Sequence, residues 1–282
     1  MTRVCGVIGQ SLRHSISAVF QQAAFDALAL KVRYHAWELA PEELGGHLAR
    51  LRQQDALGSN VTIPYKLAVL PFLARRDGLV DEVGAANTLV NEQGTLTGYN
   101  TDVGGFLRAL RTDGAFDPTR TEALLLGAGG AARAVAVALL GAGVTRLWIA
   151  NRHRQRADEL VAALMNARAT VLPWHSPEFN AVLADTPLIV NATPAGMFGK
   201  GVDQTPLPEP RLAAGSFVFD LVANPRETRL MREARQAGAR VLGGLPMLVY
   251  QGAESFELWT GRPAPIAVMR QAAERTMAEA QG

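Results

Sequence analysis

Ala123-Leu124-Leu125-Leu126-Gly127-Ala128-Gly129-Gly130-Ala131-Ala132 is the stretch on which the fold turns. Its apolar residues read as a buried strand, the glycines as a tight turn, and Ala131 to Leu140 as an Ala-rich helix. A G-x-G-x-x-A pattern in this strand–turn–helix setting points to a dinucleotide cradle. Gly127 permits the turn, and Gly129 lets the backbone approach a pyrophosphate. Ala132 is small enough for close helix–strand packing, and the helix N-terminus stabilises phosphate charge. Ala128, Gly130 and Ala131 complete the loop.

The next strand, Arg146 to Ala150, ends in Asn151-Arg152-His153-Arg154-Gln155-Arg156, and the first carboxylate is Asp158, already inside the following helix. A site that prefers NAD usually carries Asp or Glu at this strand end, about 20 residues after the glycines. A carboxylate there would repel a 2′-phosphate, whereas Arg152 and Arg156 suit one through forked, charge-assisted hydrogen bonds. A merely solvated basic helix start would run against the helix dipole. The pattern favours NADP(H). Further strands at Thr170–Leu172, Leu188–Val190, Phe217–Leu221 and Ala239–Leu242 complete a doubly wound parallel sheet.

Toward the N-terminus the same alternation begins with a strand at Arg3–Gly9 and a helix at Ile16–Leu30, for which Ser15 or Ser17 is the expected cap. A strand at Val32–Glu38, a helix at Pro41–Gln53, a strand near Gly58–Thr62 and a helix after Pro64 follow. Asn87–Asn91 and Thr95–Tyr99 flank Glu92-Gln93-Gly94 as a hairpin. The residues from Pro246 onward read as helices that return to the first half. The fold class is α/β with two domains. Residues 1–103, with 246–282 packing back, are expected to form an N-terminal α/β domain, and 104–245 a doubly wound dinucleotide-binding domain.

Composition narrows the function. The chain has 282 residues, 48% hydrophobic and 19% charged, with a formal charge of +2, so a protein-wide basic field for nucleic acid is not expected. Its single cysteine excludes an internal disulfide framework. The longest non-polar run, Ala134–Val144, is shorter than the about 20 residues a bilayer requires, and no secretory h-region precedes the first strand. A cytoplasmic protein with no membrane partner is expected. The five histidines show neither H-x-x-x-H nor H-E-x-x-H spacing, so no metal site is expected. Neither a G-x-S-x-G elbow nor a P-loop occurs.

Polar groups recur where an α/β protein places its chemistry, at strand ends. Ser15 and Ser17 follow the first strand. Asn60-Val61-Thr62-Ile63-Pro64-Tyr65-Lys66 follows the third, and Gly84-Ala85-Ala86-Asn87-Thr88 and Gly98-Tyr99-Asn100-Thr101-Asp102 bracket the hairpin. Singly, each has a structural role as a cap, turn or solvated charge. Together they offer hydroxyl and amide donors for a small polyhydroxylated substrate, with one Lys and one Asp for proton handling. Which of the two titrates is open at this point.

These segments, taken in order with His14-Ser15-Ile16-Ser17, Gly127–Arg133, Asn151-Arg152, Asn191-Ala192-Thr193-Pro194-Ala195-Gly196-Met197 and Met247-Leu248-Val249-Tyr250-Gln251-Gly252, resemble the shikimate dehydrogenase family over essentially the whole chain. The resemblance implies a substrate domain and a Rossmann domain with an active cleft between them. It implies NADPH-dependent reduction of 3-dehydroshikimate to shikimate. Lys66 and Asp102 would be the catalytic pair. Ser15 and Ser17 would hold the substrate carboxylate, and Thr62, Asn87 and Gln251 would bind its hydroxyls with that pair. Gly127, Ala128, Gly129, Gly130 and Ala131 would hold the pyrophosphate. Asn151, Arg152 and Arg156, with His153 beside them, would hold the 2′-phosphate, and Thr193, Met197, Leu221 and Gly243 would lie along the cofactor. The partner is a small-molecule substrate, with the protein either a monomer or a homodimer.

The chain carries Ala18, Gln21, Gln22, His153 and Ala223 where the family commonly has Pro, a His-Asn pair, Thr and Tyr. Two rival readings are a quinate/shikimate or other hydroxy-acid dehydrogenase of this family, and a catalytically silent NADP(H)-binding sensor. Arg152 and Ser17 disfavour the NAD-using quinate type, and the presence of both Lys66 and Asp102 disfavours the sensor.

Overall fold

A computed structural model describes residues 2–207 and 212–279. The chain forms two compact units, Met1–Gly105 with Leu248–Gly282, and Phe106–Met247.

The first unit contains β1 (Arg3–Gly9), α1 (Ser17–Ala27), β2 (Val32–Glu38), α2 (Leu44–Arg50), β3 (Gly58–Val61), β4 (Arg75–Arg76), α3 (Gly78–Val83), β5 (Thr88–Glu92) and β6 (Thr95–Tyr99), and the start of α4 (Asp102–Arg108). Its sheet runs β2-β1-β3-β5-β6-β4. β1 is parallel to β2 and β3, while β5 is antiparallel to both its neighbours. The β5–β6 turn places Gln93 at φ 55° and Gly94 at φ 91°, the two left-handed positions a tight hairpin favours. Ile8, Leu48, Val61, Leu89 and Leu96 form part of its core.

The second unit contains β7 (Glu122–Leu126), α5 (Gly130–Gly141), β8 (Arg146–Ala150), α6 (Arg154–Leu164), β9 (Ala169–Val171), α7 (Pro177–Asp185), β10 (Leu188–Asn191), β11 (Phe217–Asp220), α8 (Arg229–Gln236) and β12 (Arg240–Leu242). The sheet order β12-β11-β10-β7-β8-β9 is wholly parallel. Its central strands are buried end to end, which is why they read as continuous apolar runs instead of alternating ones. The strand order reverses between β7 and β10, and an open α/β sheet binds ligands beside the carboxyl ends of strands at such a switch. α9 (Leu245–Thr260), from Leu248 on, and α10 (Ile266–Glu279) belong to the first unit, where α10 packs against α1.

Several local expectations are corrected. The helix expected after Pro64 is replaced by turns and a short 3-10 segment at Leu70–Phe72, then by β4 and α3. Pro71 lacks the amide that would bond the Leu67 carbonyl and its ring crowds that carbonyl, so an α-helix starting at Pro64 cannot propagate. Neither Ser15 nor Ser17 caps α1: its first residue follows Ile16, which makes no side-chain cap bond. A π-helical segment at Ala109–Asp113 extends α4. α7 and α8, unassigned from the sequence, are capped by Ser176 and Thr228, whose side chains accept from the amides of Phe179 and Met231.

Candidate active site

In the first unit the pleat and register bring four of the expected residues together. The Ala86 amide donates to the Lys66 carbonyl at 2.8 Å, which sets the Lys66 turn beside the start of β5. Lys66 Nζ lies 2.5 Å from Asp102 Oδ2, with side chains 14% and 5% exposed. A nearly dry ion pair is weakly screened and therefore directional. Asp102 is the first residue of α4, where a carboxylate is favoured by the helix dipole.

Asn87 orients that carboxylate. The Thr101 amide donates to Asn87 Oδ1 at 2.7 Å, which assigns the flip of the side chain and turns Nδ2 toward its acceptors. Those are Thr101 Oγ1 at 2.8 Å, Asp102 Oδ1 at 2.9 Å and Gln251 Oε1 at 3.1 Å. Gln251 reaches the cluster because Gly105 lets α9 approach α4 closely. A Cβ at Gly105 would stand 2.7 Å from Gln251 Cβ and 2.8 Å from its backbone nitrogen.

Behind these groups runs a buried polar network that the sequence reading did not single out. Asn60 Nδ2 donates to Ser255 Oγ at 2.9 Å, Thr88 Oγ1 lies 2.7 Å from that hydroxyl, and Tyr34 donates its phenolic proton to Asn60 Oδ1 at 2.8 Å. Burial pushes the Tyr34 hydroxyl well above its usual range, so it remains a donor. Asn60, Thr88 and Thr101 stand inside motifs quoted from the sequence without a role of their own. The legible signal for Ser255 is its place one helical turn after Gln251, on the same face of α9.

Ser15, Ser17 and Thr62 make no hydrogen bond to this cluster through their side chains among the described residues. Ser15 and Ser17 are half-buried, with Ser15 Oγ accepting only the Ser17 amide at 3.4 Å. Their loop is pinned to the end of β2 by the Leu12 amide, which donates to Glu38 Oε1 at 2.6 Å. Thr62 is half-buried, and its amide donates to the Ile8 carbonyl at the end of β1 at 2.9 Å.

In the second unit the glycine turn has the shape its sequence suggests. Gly127 has φ +115°, and a Cβ there would meet the backbone of Ala192 at 3.1 Å. At Gly129 a Cβ would meet nothing within 4 Å, and α5 starts without a side-chain cap. Open backbone at an uncapped helix start suits a diphosphate. Ala128 is buried, while Gly130 and Ala131 are half-buried in the first turn. After β8, Arg152, His153 and Arg156 are exposed. Asn151 Nδ2 donates to the His153 carbonyl at 2.8 Å. Arg154 pairs with Asp158 at 3.5 Å, whereas no carboxylate among the described residues pairs with Arg152 or Arg156. The first turn of α6 carries no acidic residue. These residues fit a dinucleotide bearing a further phosphate.

The remaining expected cofactor residues lie in the loops after β10, β11 and β12. The Thr193 amide and hydroxyl both donate to Asn191 Oδ1, at 3.0 and 2.7 Å. The Leu221 amide donates to the Asn191 carbonyl at 2.9 Å. Met197 is half-buried in the loop beyond Thr193, and Gly243 follows β12. Asp220, which the sequence reading did not mark, ties these loops together. Its carboxylate accepts from Asn191 Nδ2 at 2.9 Å, the Val222 amide at 3.1 Å and the Thr228 hydroxyl at 2.6 Å. Burial pushes its pKa up to about 6 against the opposing pull of those donors.

Family models of known proteins match most of the chain, in order. Residues 7–89 match the family model of the shikimate dehydrogenase substrate binding domain, 112–237 that of shikimate/quinate 5-dehydrogenase, and 244–274 that of the shikimate 5′-dehydrogenase C-terminal domain. The shikimate dehydrogenase (NADP(+)) of Symbiobacterium thermophilum is 46% identical over 276 residues, spanning 96% of this chain and 93% of that protein. The chain belongs to the shikimate dehydrogenase family. Its relative from Moorella thermoacetica, also a shikimate dehydrogenase (NADP(+)), is 43% identical over 284 residues, covering 100% of this chain and 94% of the other. Among solved members of the family, the shikimate 5-dehydrogenase of Thermus thermophilus in complex with NADP(H) and shikimate gives a TM-score of 0.87 at 37% identity, covering 97% of this chain and 99% of that one.

Proposed function

We propose that this protein catalyses the reversible NADPH-dependent reduction of 3-dehydroshikimate to shikimate, with Lys66 and Asp102 handling the proton. The observation that carries the reading is the 2.5 Å Lys66–Asp102 pair, held in place by Asn87, in a member of this family.

Bound NADPH supplies the hydride. As the carbonyl carbon receives it, the oxygen gains negative charge and must take up one proton. An ammonium has three donors, and Asp102 occupies one of the three on Lys66. The others are available to the substrate oxygen, where Lys66 stabilises the developing alkoxide and delivers the proton. Asp102 keeps the ammonium oriented, and Asn87 keeps Asp102 presenting Oδ2 to it. The link inward from Asp102 passes through the Asn87 amide, which donates hydrogen bonds without handing a proton on. The proton is exchanged with solvent on the Lys66 side, which is the more exposed of the two.

Ser15 and Ser17 hold the substrate carboxylate beside the start of α1, where Ile16 offers no side-chain cap. Thr62, Asn87 and Gln251 address its hydroxyls. In the second unit Gly127, Ala128, Gly129, Gly130 and Ala131 cradle the diphosphate. Asn151, Arg152, His153 and Arg156 receive the 2′-phosphate, and Thr193, Met197, Leu221 and Gly243 line the rest of the cofactor. Among the described residues no helix is long and apolar enough to cross a membrane.

The test is NADPH formation from shikimate and NADP+, followed optically, for the native chain and for Lys66→Ala. The native chain is expected to turn over. The variant should lose about 10²- to 10⁴-fold in kcat, the usual share of a positioned acid–base group, with its NADPH dissociation constant unchanged. An unaltered kcat in the variant would remove Lys66 from the mechanism.

A further inference from the structure

We infer that Ser255 is a positioning residue of the site, fastening Gln251 and Asn87 in the geometry that serves the Lys66–Asp102 pair. The inference rests on the function proposed above for the first unit.

Ser255 is fully buried, and its hydroxyl joins elements far apart in sequence. It sits on α9 and meets Asn60 from β3, Thr88 from β5 and Thr101 from the turn that starts α4. The direction of each bond follows from groups that have no choice. The Gln251 carbonyl, 2.9 Å away, can only accept, so the Ser255 proton goes there. The Tyr34 phenol donates to Asn60 Oδ1, which turns Asn60 Nδ2 toward Ser255. The Ser255 oxygen is therefore left to accept, and it takes the Asn60 amide and the Thr88 hydroxyl at 2.7 Å. One hydroxyl thus tethers the turn of α9 that carries Gln251 to the two strands beside Asn87.

Gln251 Oε1 and Thr101 Oγ1 are two of the three acceptors that aim Asn87 Nδ2; Ser255 meets Thr101 Oγ1 directly at 3.2 Å and Gln251 through its backbone carbonyl. Removing the hydroxyl takes from Asn60 Nδ2 and Thr88 Oγ1 their shortest partner in a dry interior and leaves them only contacts of 3.2 Å or longer. Two adjustments relieve that cost: α9 shifts relative to β5, or Asn60 and Thr88 close up on the 3.2 Å bond they already share. Either loosens the aim of Asn87 and Gln251 without altering the ion pair itself. Because amides interrupt the network on both sides, Ser255 orients groups and relays no proton.

The experiment is steady-state kinetics on Ser255→Ala and Ser255→Cys in the full chain, with NADPH affinity measured separately by cofactor fluorescence. Ser255→Ala is expected to lower kcat/KM for shikimate by about tenfold or more, the size of a lost buried hydrogen bond. Ser255→Cys, which keeps a weak donor at a somewhat larger volume, should recover part of it. NADPH affinity, which belongs to the second unit, should stay within about twofold, a separation a general loss of folding would not produce. If Ser255→Ala proves too unstable to assay, Thr88→Val removes the neighbouring hydroxyl at nearly constant shape and should show the same separation. An active native enzyme whose variants keep kcat/KM within about twofold overturns the role of Ser255, as does an equal loss of NADPH affinity. A native chain with no shikimate turnover overturns the function first and this inference with it.

Discussion

Arg152 is exposed at the end of β8 with no carboxylate partner among the described residues, beside the uncapped start of α6. Under the proposed function, this is the single residue on which cofactor choice turns. A charge-assisted hydrogen bond contributes about 1.5–3 kcal/mol, so Arg152→Ala should raise KM for NADPH by about 10- to 150-fold while leaving KM for NADH nearly unchanged. Equal effects on the two cofactors would show that no 2′-phosphate is held there. Residues of this kind are legible because charge, glycine and position relative to a strand end are written in the sequence. Lys66, Asn87 and Asp102 were legible for the same reason, Gln251 only through the family resemblance, and the structure joins the four by hydrogen bonds. Tyr34, Ser255 and Asp220 were not. A Ser in a helix or a Tyr in a strand has many uses, and only the register of β2, β3, β5 and α9 reveals which groups converge. The serines after β1 show the converse: helix-cap residues by type, they make no cap bond and leave their hydroxyls available.

Elements were legible where their pattern was strong. The buried strands of the second sheet and the Ala-rich α5 stand where apolar runs and glycine turns placed them, as does the β5–β6 hairpin. The pattern misleads between Pro64 and Val83, where apolar residues at helix-like spacing are interrupted by Pro71 and the chain folds instead into turns, β4 and α3. Composition cannot show how closely two elements approach, yet the site depends on it. Gly105 is the contact point of α4 with α9, and an added methyl must displace Gln251. Gly105→Ala is expected to cost about 1–3 kcal/mol of stability by overpacking. It should also depress kcat/KM for shikimate more than it affects NADPH binding. Denaturant titration and steady-state kinetics would check it, and native values in both would show that α9 can yield without consequence.

At the scale of the whole molecule the pH dependence of folding carries a signature of Asp220. In the unfolded chain its carboxyl titrates near 3.8, whereas burial raises it to about 6 in the fold. Between these values the folded protein binds the proton more tightly. The contribution of this group to stability is therefore fully present below about pH 4 and is lost as pH rises through about 6, a change of about 3 kcal/mol. Asp220→Asn abolishes that titration, so its stability relative to the native chain should rise by about this amount between pH 4 and pH 7 in urea unfolding. A constant difference across that range would show that Asp220 is not perturbed. The α/β class, the doubly wound character of the second sheet and the family were within reach of the sequence, because glycine turns and strand-end motifs recur in order along it, whereas the strand order β12-β11-β10-β7-β8-β9 comes from the structure. The central claim, that one chain oxidises a particular acid with a particular cofactor, is tested most directly by an initial-rate matrix of shikimate and quinate against NADP+ and NAD+. The account predicts the highest kcat/KM for shikimate with NADP+; a higher value for quinate with NAD+, or no turnover in any cell of the matrix, would contradict it.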